Sequence, residues 1–265
     1  MSTIRPPAVA GMFYPGEAGR LAQALAQLLA ADDEERCERP RALIVPHAGY
    51  AYSGAIAATA YRRIAPWVDG IHRVVLLGPC HRVWVQGMAL PRARAFDTPL
   101  GRIPVDACVD DLLALPEVQQ SDAAHALEHA LEVQLPFLQT LLDQFTLIPV
   151  VVGGASPEAV AALLDHCVDD STLVVVSSDL SHFHTDAQAR RIDAATAGRI
   201  EQLACDLRGE EACGAAPLNG LLYWARRQGL EIHRLALANS SDTTGPPERV
   251  VGYGAWCLDA PAERS

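Results

Sequence analysis

Short apolar runs that alternate with helical patterns constrain the fold of this chain more than any other feature. Buried strands are predicted at 42–45, 74–78 and 146–154, because each run is apolar and rich in β-branched residues, and in 172–182 a fourth such strand runs into polar residues and a histidine. Patterns with a helical period lie before, between and after these runs. Strands that alternate with helices at this spacing predict one α/β domain over 1–265, with a mostly parallel or mixed central sheet and helices on both faces.

The remaining elements follow from the same two periods. Helices are predicted at 17–31, 54–64, 106–115, 124–142, 156–168, 186–205 and 216–228, and late strands at 231–238 and 249–257. We expect a long loop at 240–248 and a frayed tail at 259–265. No shift in composition marks a boundary between domains.

The charge composition excludes several kinds of chemistry. The formal net charge is −11, and all 21 basic residues are arginine, so the chain contains no lysine. A Schiff-base lysine, a lysine general base and a P-loop lysine are therefore ruled out. An acidic chain without a basic stripe also argues against nucleic acid as a partner.

The N-terminus and the cysteines point to a cytoplasmic protein. The start MSTIRPPAVAGMFYP has no continuous apolar region of the kind a signal peptide needs, and no apolar stretch approaches the roughly 20 residues of a membrane span. The seven cysteines are odd in number and form no CxxC pair. Free thiols in a reducing compartment are the expected state.

Three histidines follow three of the predicted strands. His47 and His81 come just after the strands at 42–45 and 74–78, and His182 ends the run 172–182. A single histidine at such a place is more often structural, but ligands of open α/β sheets bind at the carboxyl ends of the strands. Neutral imidazoles that converge there suit Fe²⁺ or Zn²⁺, so the sequence predicts a shared metal-binding pocket.

A carboxylate or a thiolate usually completes such a site. Asp179 could be a ligand, or could orient a histidine from behind. Cys213 and Cys80 are the candidate thiolates. Cys213 precedes the helix predicted to begin near Pro217, and a helix N-terminus lowers the pKa of a thiol and favours the thiolate. Cys213 could equally be a small buried apolar residue.

The segment HALEHALEVQLPF at 125–137 is a second dense cluster of polar residues. On one helix, His125, Glu128, His129 and Glu132 would share a face. Ala126 stands where a zincin metalloprotease needs its catalytic glutamate, so that class is disfavoured. We expect a pocket wall from which Glu128, His129 or Glu132 reaches towards the metal, while His125 could equally lie on a solvated face.

Nucleophilic hydrolysis is the less favoured interpretation. Ser177, Ser178, Asp179 and His182 supply the residue types of a serine triad, but no G-x-S-x-G turn surrounds either serine. Cys80 beside His81 would suit a thiol enzyme, yet adjacent side chains normally point apart.

Eight segments, in order, resemble one known family. They are RPPAVAGMFYP (5–15), PHAGYAYSG (46–54), LLGPCH (76–81), EHALEVQLPF (128–137), IPVVVG (148–153), VVSSDLSHF (175–183), CGAAPLNGLL (213–222), and NSSDTTG with VVGYGA near the end. Together they resemble the Memo family, which is component B of the AmmeMemoRadiSam grouping. The resemblance runs over nearly the whole chain.

The resemblance implies a fold like that of the catalytic subunits of class III extradiol ring-cleavage dioxygenases, which hold Fe²⁺ with two histidines and a glutamate. By that likeness, His47 and His81 match the histidine ligands, and His182 matches an acid–base histidine. Cys213 falls where those enzymes have their ligating glutamate, which puts ordinary ring cleavage in doubt, since a thiolate is softer and oxidisable. Arg82 departs from relatives that carry a second histidine after His81.

Two functions follow as expectations. The first is a mononuclear Fe²⁺ site, with Zn²⁺ or copper as alternatives, ligated by His47, His81 and Cys213 and used for dioxygenase-like oxidation of a small molecule. His182 and Asp179 would be its catalytic residues, and Tyr50 or Tyr52 would contact the substrate. The second is a non-catalytic metal- or partner-binding module that acts with the radical SAM and AMMECR-type proteins of the same grouping.

Overall fold

The computed structural model describes residues 3–30 and 38–261 of the chain. The strands are β1 (Ile4–Arg5), β2 (Pro40–Val45), β3 (Arg73–Pro79), β4 (Met88–Leu90), β5 (Ala95–Thr98), β6 (Gly101–Pro104), β7 (Val118–Gln120), β8 (Thr146–Val152), β9 (Thr172–Ser177), β10 (His182–His184), β11 (Glu231–Asn239) and β12 (Val250–Asp259). The helices are α1 (Ala18–Leu29), α2 (Tyr50–Arg62), α3 (Val109–Leu112), α4 (Asp122–Ala126), α5 (His129–Glu132), α6 (Leu135–Leu141), α7 (Pro157–Cys167), α8 (Asp186–Glu201) and α9 (Ala215–Gln228). This arrangement confirms the predicted α/β fold.

Four adjacent parallel strands form the centre of the larger sheet, in the order β2, β9, β3 and β8. Their runs are buried almost throughout, as expected for parallel strands covered on both faces. β12 pairs antiparallel with β2, and β4 pairs antiparallel with β8, so the sheet is mixed. Because the central strands are parallel, the carboxyl ends of β2, β9 and β3 lie side by side.

Helices flank this sheet. α2 packs on β2, β11 and β12, while α9 packs on β3, on β9 and on α7. α5 approaches β3 at Gly78, where an added Cβ would lie only 2.9 Å from Cδ2 of Leu131. The absent side chain therefore lets the start of α5 reach the carboxyl end of β3. In the part of the chain that the structure describes, no helix is both long and apolar enough to cross a membrane.

The prediction of one continuous helix at 124–142 is wrong. The segment is divided into α4, α5 and α6, with breaks around Leu127 and Gln134. Pro136 lies in the first turn of α6, where proline is tolerated because its missing N–H has no intrahelical partner. Glu128 caps the start of α5 by accepting a hydrogen bond from the Ala130 N–H at 2.9 Å. The four polar residues of this segment therefore do not share one helix face.

Several element boundaries also differ from the predictions. The helix predicted at 106–115 is reduced to α3, and the helix at 186–205 ends at Glu201, two residues before Leu203 adopts a φ of 54°. The strand predicted within 172–182 ends at Ser177, where the polar residues begin. The short strands β1, β4 to β7 and β10 have two to four residues each, too few to show a period. The predicted frayed tail begins at Asp259, the last residue of β12, and its residues 262–265 lie outside the described part.

A buried carboxylate holds the N-terminal segment against α5. Glu132 forms an ion pair with Arg5 and accepts hydrogen bonds from the N–H groups of Ala8 at 2.7 Å and Val9 at 3.0 Å. The Tyr14 hydroxyl donates to the same carboxylate at 2.6 Å. Both charged side chains are almost completely buried, at 5% exposure for Arg5 and 0% for Glu132. A buried charge is tolerated only when its partners are in place, so this contact ties the two segments together.

Substitution Arg5→Met should therefore lower the free energy of unfolding by about 3–5 kcal/mol, because it leaves Glu132 buried without its counter-charge. Urea denaturation followed by circular dichroism measures the change. Arg20→Met is the matched control, since Arg20 pairs with Glu17 on the surface, and it should cost less than about 1 kcal/mol. Equal losses in the two variants would contradict the role assigned to the buried pair.

Candidate metal centre

Three side chains with metal-binding atoms meet at the carboxyl edge of the sheet. His47 lies two residues after β2, His81 two residues after β3, and Cys213 just before α9. One ligand atom of each lies within 4.8 Å of the other two, and Cys213 Sγ is 3.3 Å from His47 Nε2. The structure therefore brings together the three residues that the sequence predicts as ligands.

The turn after β9 holds Cys213 in place. The Asp179 carbonyl accepts a hydrogen bond from the Cys213 N–H at 3.2 Å, and the Asp179 N–H lies 3.3 Å from Cys213 Sγ. The Gly214 N–H donates to Ser178 Oγ at 2.9 Å. An added Cβ at Gly214 would lie 2.6 Å from Ser178 Cβ, so only glycine allows this close approach. β9, between β2 and β3, thus brings the thiol to the two histidines.

His47 is a buried and neutral imidazole. Its backbone N–H donates to Asp179 Oδ1 at 2.8 Å, and its Nδ1 lies 2.9 Å from Ser177 Oγ. Burial, reinforced by the nearby His81, lowers the pKa of His47 to about 3. The ring is therefore uncharged at physiological pH, which is the state that binds metals.

A carboxylate fixes His81 from behind. Glu128 Oε2 accepts the His81 backbone N–H at 2.6 Å, and Oε1 lies 2.9 Å from His81 Nδ1. Burial alone would raise the pKa of Glu128, but hydrogen bonds from His81 and Ala130 hold it at about 2. An ionised carboxylate can only accept, so Nδ1 carries a proton, and in the neutral ring Nε2 is the nitrogen with the free lone pair. The His81 side chain is 26% exposed, which opens the cluster to solvent.

A second ligand set, formed by His81, Glu128 and His129, overlaps the first. Using it would break the hydrogen bonds that Glu128 already accepts from His81 and Ala130. The His129 ring also stacks on His81, with centroids 4.7 Å apart at 28°, so their in-plane lone pairs do not point to one ion. The hydrogen bonds therefore favour the set that contains Cys213.

His129 forms part of the wall of the site. Its Nδ1 is buried without a hydrogen-bond partner, 3.4 Å from Glu128 Oε1. Burial, and then the proximity of His47, lower its pKa to about 4. The Phe13 ring lies 4.8 Å from the His129 ring, a contact that the sequence analysis missed.

The expectation that a helix start lowers the pKa of Cys213 is wrong for the metal-free protein. Burial, followed by the Asp179 carboxylate, raises the pKa of this thiol well above its usual range. Hydrogen bonds to Asp179, Ser178 and Gly214 oppose the shift without overcoming it. A metal ion that binds Cys213 must therefore displace the thiol proton.

Asp179 and His182 border the cluster. Asp179 is buried, its pKa is raised by that burial, and its Oδ2 lies 4.0 Å from His47 Nε2. His182 does not end β9, as the sequence predicted, but opens β10, where it pairs with Val251 of β12. It belongs to neither ligand set, but it is near enough to influence the pKa values of both His47 and Asp179.

Three other predicted pocket residues differ in their exposure to solvent. Tyr50 is buried and donates to the Val133 carbonyl at 2.9 Å, whereas the Tyr52 side chain is exposed. Cys80 is half-buried beside Gly153 at the end of β8.

Glu132 and His125 do not reach the metal cluster. Glu132 instead binds the N-terminal segment, which corrects the prediction that it faces the metal. His125 is buried and donates from Nε2 to the Ala89 carbonyl at 2.9 Å, so it is not on a solvated face.

Comparisons with known proteins agree on one family. The model of a family described as "Memo-like protein" matches residues 5–257. A "MEMO1 family protein" of Methanobrevibacter smithii is 33% identical over 279 residues, covering 95% of this chain and 98% of that protein. Proteins of the same name from Aquifex aeolicus and Ignicoccus hospitalis are 32% and 34% identical and cover 94% and 95% of this chain, at 97% of their own lengths.

His125 should make the stability of the protein depend on pH. Burial lowers its pKa from 6.5 to about 4. Below pH 6.5 the unfolded chain therefore binds a proton that the native protein does not bind. Above pH 6.5 the ring is neutral in both states and costs no stability. As the pH falls from 6.5 towards 4, protonation of the unfolded chain lowers the free energy of unfolding. Between about pH 7 and pH 5 this histidine alone should cost about 2 kcal/mol.

The variant His125→Gln keeps a donor for the Ala89 carbonyl but has no titrating ring. Urea unfolding at both pH values should show a correspondingly smaller loss of stability on acidification than in the parent protein. An unchanged pH dependence would show that His125 is not buried as a neutral ring.

Proposed function

The chain belongs to the Memo-like protein family, and on that premise we propose that it is a mononuclear non-haem iron protein with oxidoreductase activity on a small molecule. The observation that carries the proposal is the convergence of His47, His81 and Cys213 at the carboxyl edge of the sheet. Each histidine is anchored through Nδ1 and the backbone N–H, which leaves Nε2 for an ion.

The donor atoms fit one ion. Two ligands held at about 2.0–2.3 Å from a tetrahedral ion lie roughly 3.5 Å apart. The 3.3 Å between Cys213 Sγ and His47 Nε2 is close to that spacing. Two imidazoles and a thiolate suit Fe²⁺, Zn²⁺ and copper. We assign Fe²⁺ because it would supply both Lewis acidity and one-electron chemistry towards O₂.

The surrounding residues would serve that chemistry as follows. Asp179 holds the backbone of His47, and Glu128 holds both the backbone and the ring of His81. His129 lies against both ligand rings as a neutral imidazole. We assign to His182, beside Asp179, the acid–base role towards the substrate. The exposed Tyr52 would contact the substrate at the rim.

A cysteine nucleophile is a weaker explanation of the same geometry. The thiol of Cys213 and Nε2 of His47 lie close enough for a thiol–imidazole pair. Burial, however, raises the pKa of the thiol and lowers the pKa of the imidazole to about 3. The pair therefore stays neutral, whereas a nucleophilic cysteine needs the thiolate.

A second candidate function is a non-catalytic metal- and partner-binding module. It is favoured by four large apolar side chains that are 62–73% exposed: Met12, Trp84, Leu127 and Phe183. In the sequence, each lies within three residues of Phe13, His81, His129 or His182. Large exposed apolar side chains are typical of surfaces that contact other molecules, and the radical SAM and AMMECR-type proteins of the family grouping are the proposed partners.

Anaerobic titration of the metal-free protein with Fe²⁺ should give one ion per chain. The double variant His47→Ala, His81→Ala should abolish binding, and Cys213→Ser should weaken it at least tenfold, since a hydroxyl is a poor ligand for this ion. Cys167→Ser is the matched control, because Cys167 is a buried thiol in α7 that donates to the Leu163 carbonyl. Parent-like affinity in the double variant would refute the metal site.

The two functions are separated by oxygen consumption. The iron-loaded protein should consume O₂ in the presence of at least one compound from a panel of catechols and other small aromatic molecules, and His182→Ala should slow that reaction while leaving Fe²⁺ affinity within about threefold of the parent. A protein that binds the ion but consumes no O₂, or that is purified with tightly bound Zn²⁺, would favour the binding module.

A further inference from the structure

A network of buried hydrogen bonds lies behind His47. The Gln134 side chain is fully buried, and its Nε2 donates to the Pro46 carbonyl and to Ser177 Oγ, both at 2.9 Å. Its Oε1 accepts from the Tyr61 hydroxyl at 2.9 Å. Ser177 Oγ in turn lies 2.9 Å from His47 Nδ1. The network therefore ends on one of the proposed metal ligands.

The direction of each hydrogen bond can be assigned. The Pro46 carbonyl can only accept, so the amide NH₂ of Gln134 faces it and also donates to Ser177. The Ser177 hydroxyl lies 2.7 Å from the Ala130 carbonyl, another group that can only accept. The Gln134 N–H donates to Leu131 and leaves the Ala130 carbonyl to Ser177.

One consequence concerns the proton on His47. Ser177 has one hydrogen, which it gives to the buried Ala130 carbonyl, because leaving that carbonyl unpaired would be costly. Its oxygen is then an acceptor for both neighbours, so His47 Nδ1 must donate to it. The lone pair of the ring is therefore on Nε2, the atom 3.3 Å from Cys213 Sγ.

We propose that Ser177 is a positioning residue that fixes the tautomer of His47 and so prepares Nε2 to bind the metal. Glu128 does the same for His81 with a carboxylate, whereas Ser177 does it with a neutral hydroxyl whose direction is set by Ala130 and Gln134. The inference about metal affinity rests on the proposed metal site, but the tautomer itself does not.

The test uses the full-length metal-free protein labelled with ¹⁵N-histidine. At neutral pH, the ¹⁵N shifts of the His47 ring should show a protonated Nδ1 and an unprotonated Nε2 in the parent. In Ser177→Ala the Nδ1–H loses its acceptor, and both tautomers should appear. Ser177→Thr retains the hydroxyl and should restore the parent tautomer.

Metal binding provides a second measurement. Competition with a chelator for Zn²⁺ should show a loss of affinity of about tenfold to a hundredfold in Ser177→Ala. Ser181→Ala is the matched control: Ser181 is an equally buried serine, and its hydroxyl makes no hydrogen bond to His47, His81 or Cys213 within the described residues. The control should keep both the tautomer and the affinity of the parent.

The possible outcomes separate this inference from the proposed function. A parent His47 with its proton on Nε2, or a Ser177→Ala variant with an unchanged tautomer, overturns the role of Ser177 whether or not the protein binds a metal. Equal losses of affinity in Ser177→Ala and Ser181→Ala would assign the effect to packing and likewise overturn it. A parent protein that shows the expected tautomer but binds no metal refutes the metal site alone.

Discussion

The adjacency of three parallel strands is the constraint on which the rest of this structure depends. β2, β9 and β3 are neighbours in the sheet, so their carboxyl ends deliver three polar turns to one edge. The outer two turns carry His47 and His81, and the middle turn holds Cys213 through Asp179 and the Ser178–Gly214 contact. A cysteine 31 residues after the nearest predicted site histidine, His182, thus reaches two histidines from the first third of the chain.

Burial determines the protonation states of His47 and Cys213 in the metal-free protein. The low dielectric around His47 keeps its ring neutral, and the same environment keeps the Cys213 thiol protonated. The buried acceptors behind the histidines then determine which ring nitrogen is available. His47 therefore offers a neutral nitrogen donor, and metal binding must displace the thiol proton of Cys213.

Much of this arrangement could be predicted from the sequence, because strands and their ends are local features. His47 and His81 follow short apolar runs, and both lie just after strands, as predicted. His125, Glu128, His129 and Glu132 were less predictable, since their spacing suggested one helix and the chain breaks around Leu127 and Gln134. The roles of Ser177 and Arg5 depend on partners that lie 47 and 127 residues away, Ala130 and Glu132, and no local pattern reveals such pairs.

The short helix α5 explains why two glutamates four residues apart have different roles. In a continuous helix Glu128 and Glu132 would face the same way. Here Glu128 precedes the first turn as its cap, so its carboxylate turns towards the end of β3 and binds His81. Glu132 lies at the last helical position and binds Arg5 and the backbone of the N-terminal segment. The break in the helix therefore gives the two carboxylates different partners. Because Gly78 lets α5 pack closely on β3, one helical turn links the N-terminal segment to His81, a proposed metal ligand. Phe13, on that segment, completes the link by packing against His129.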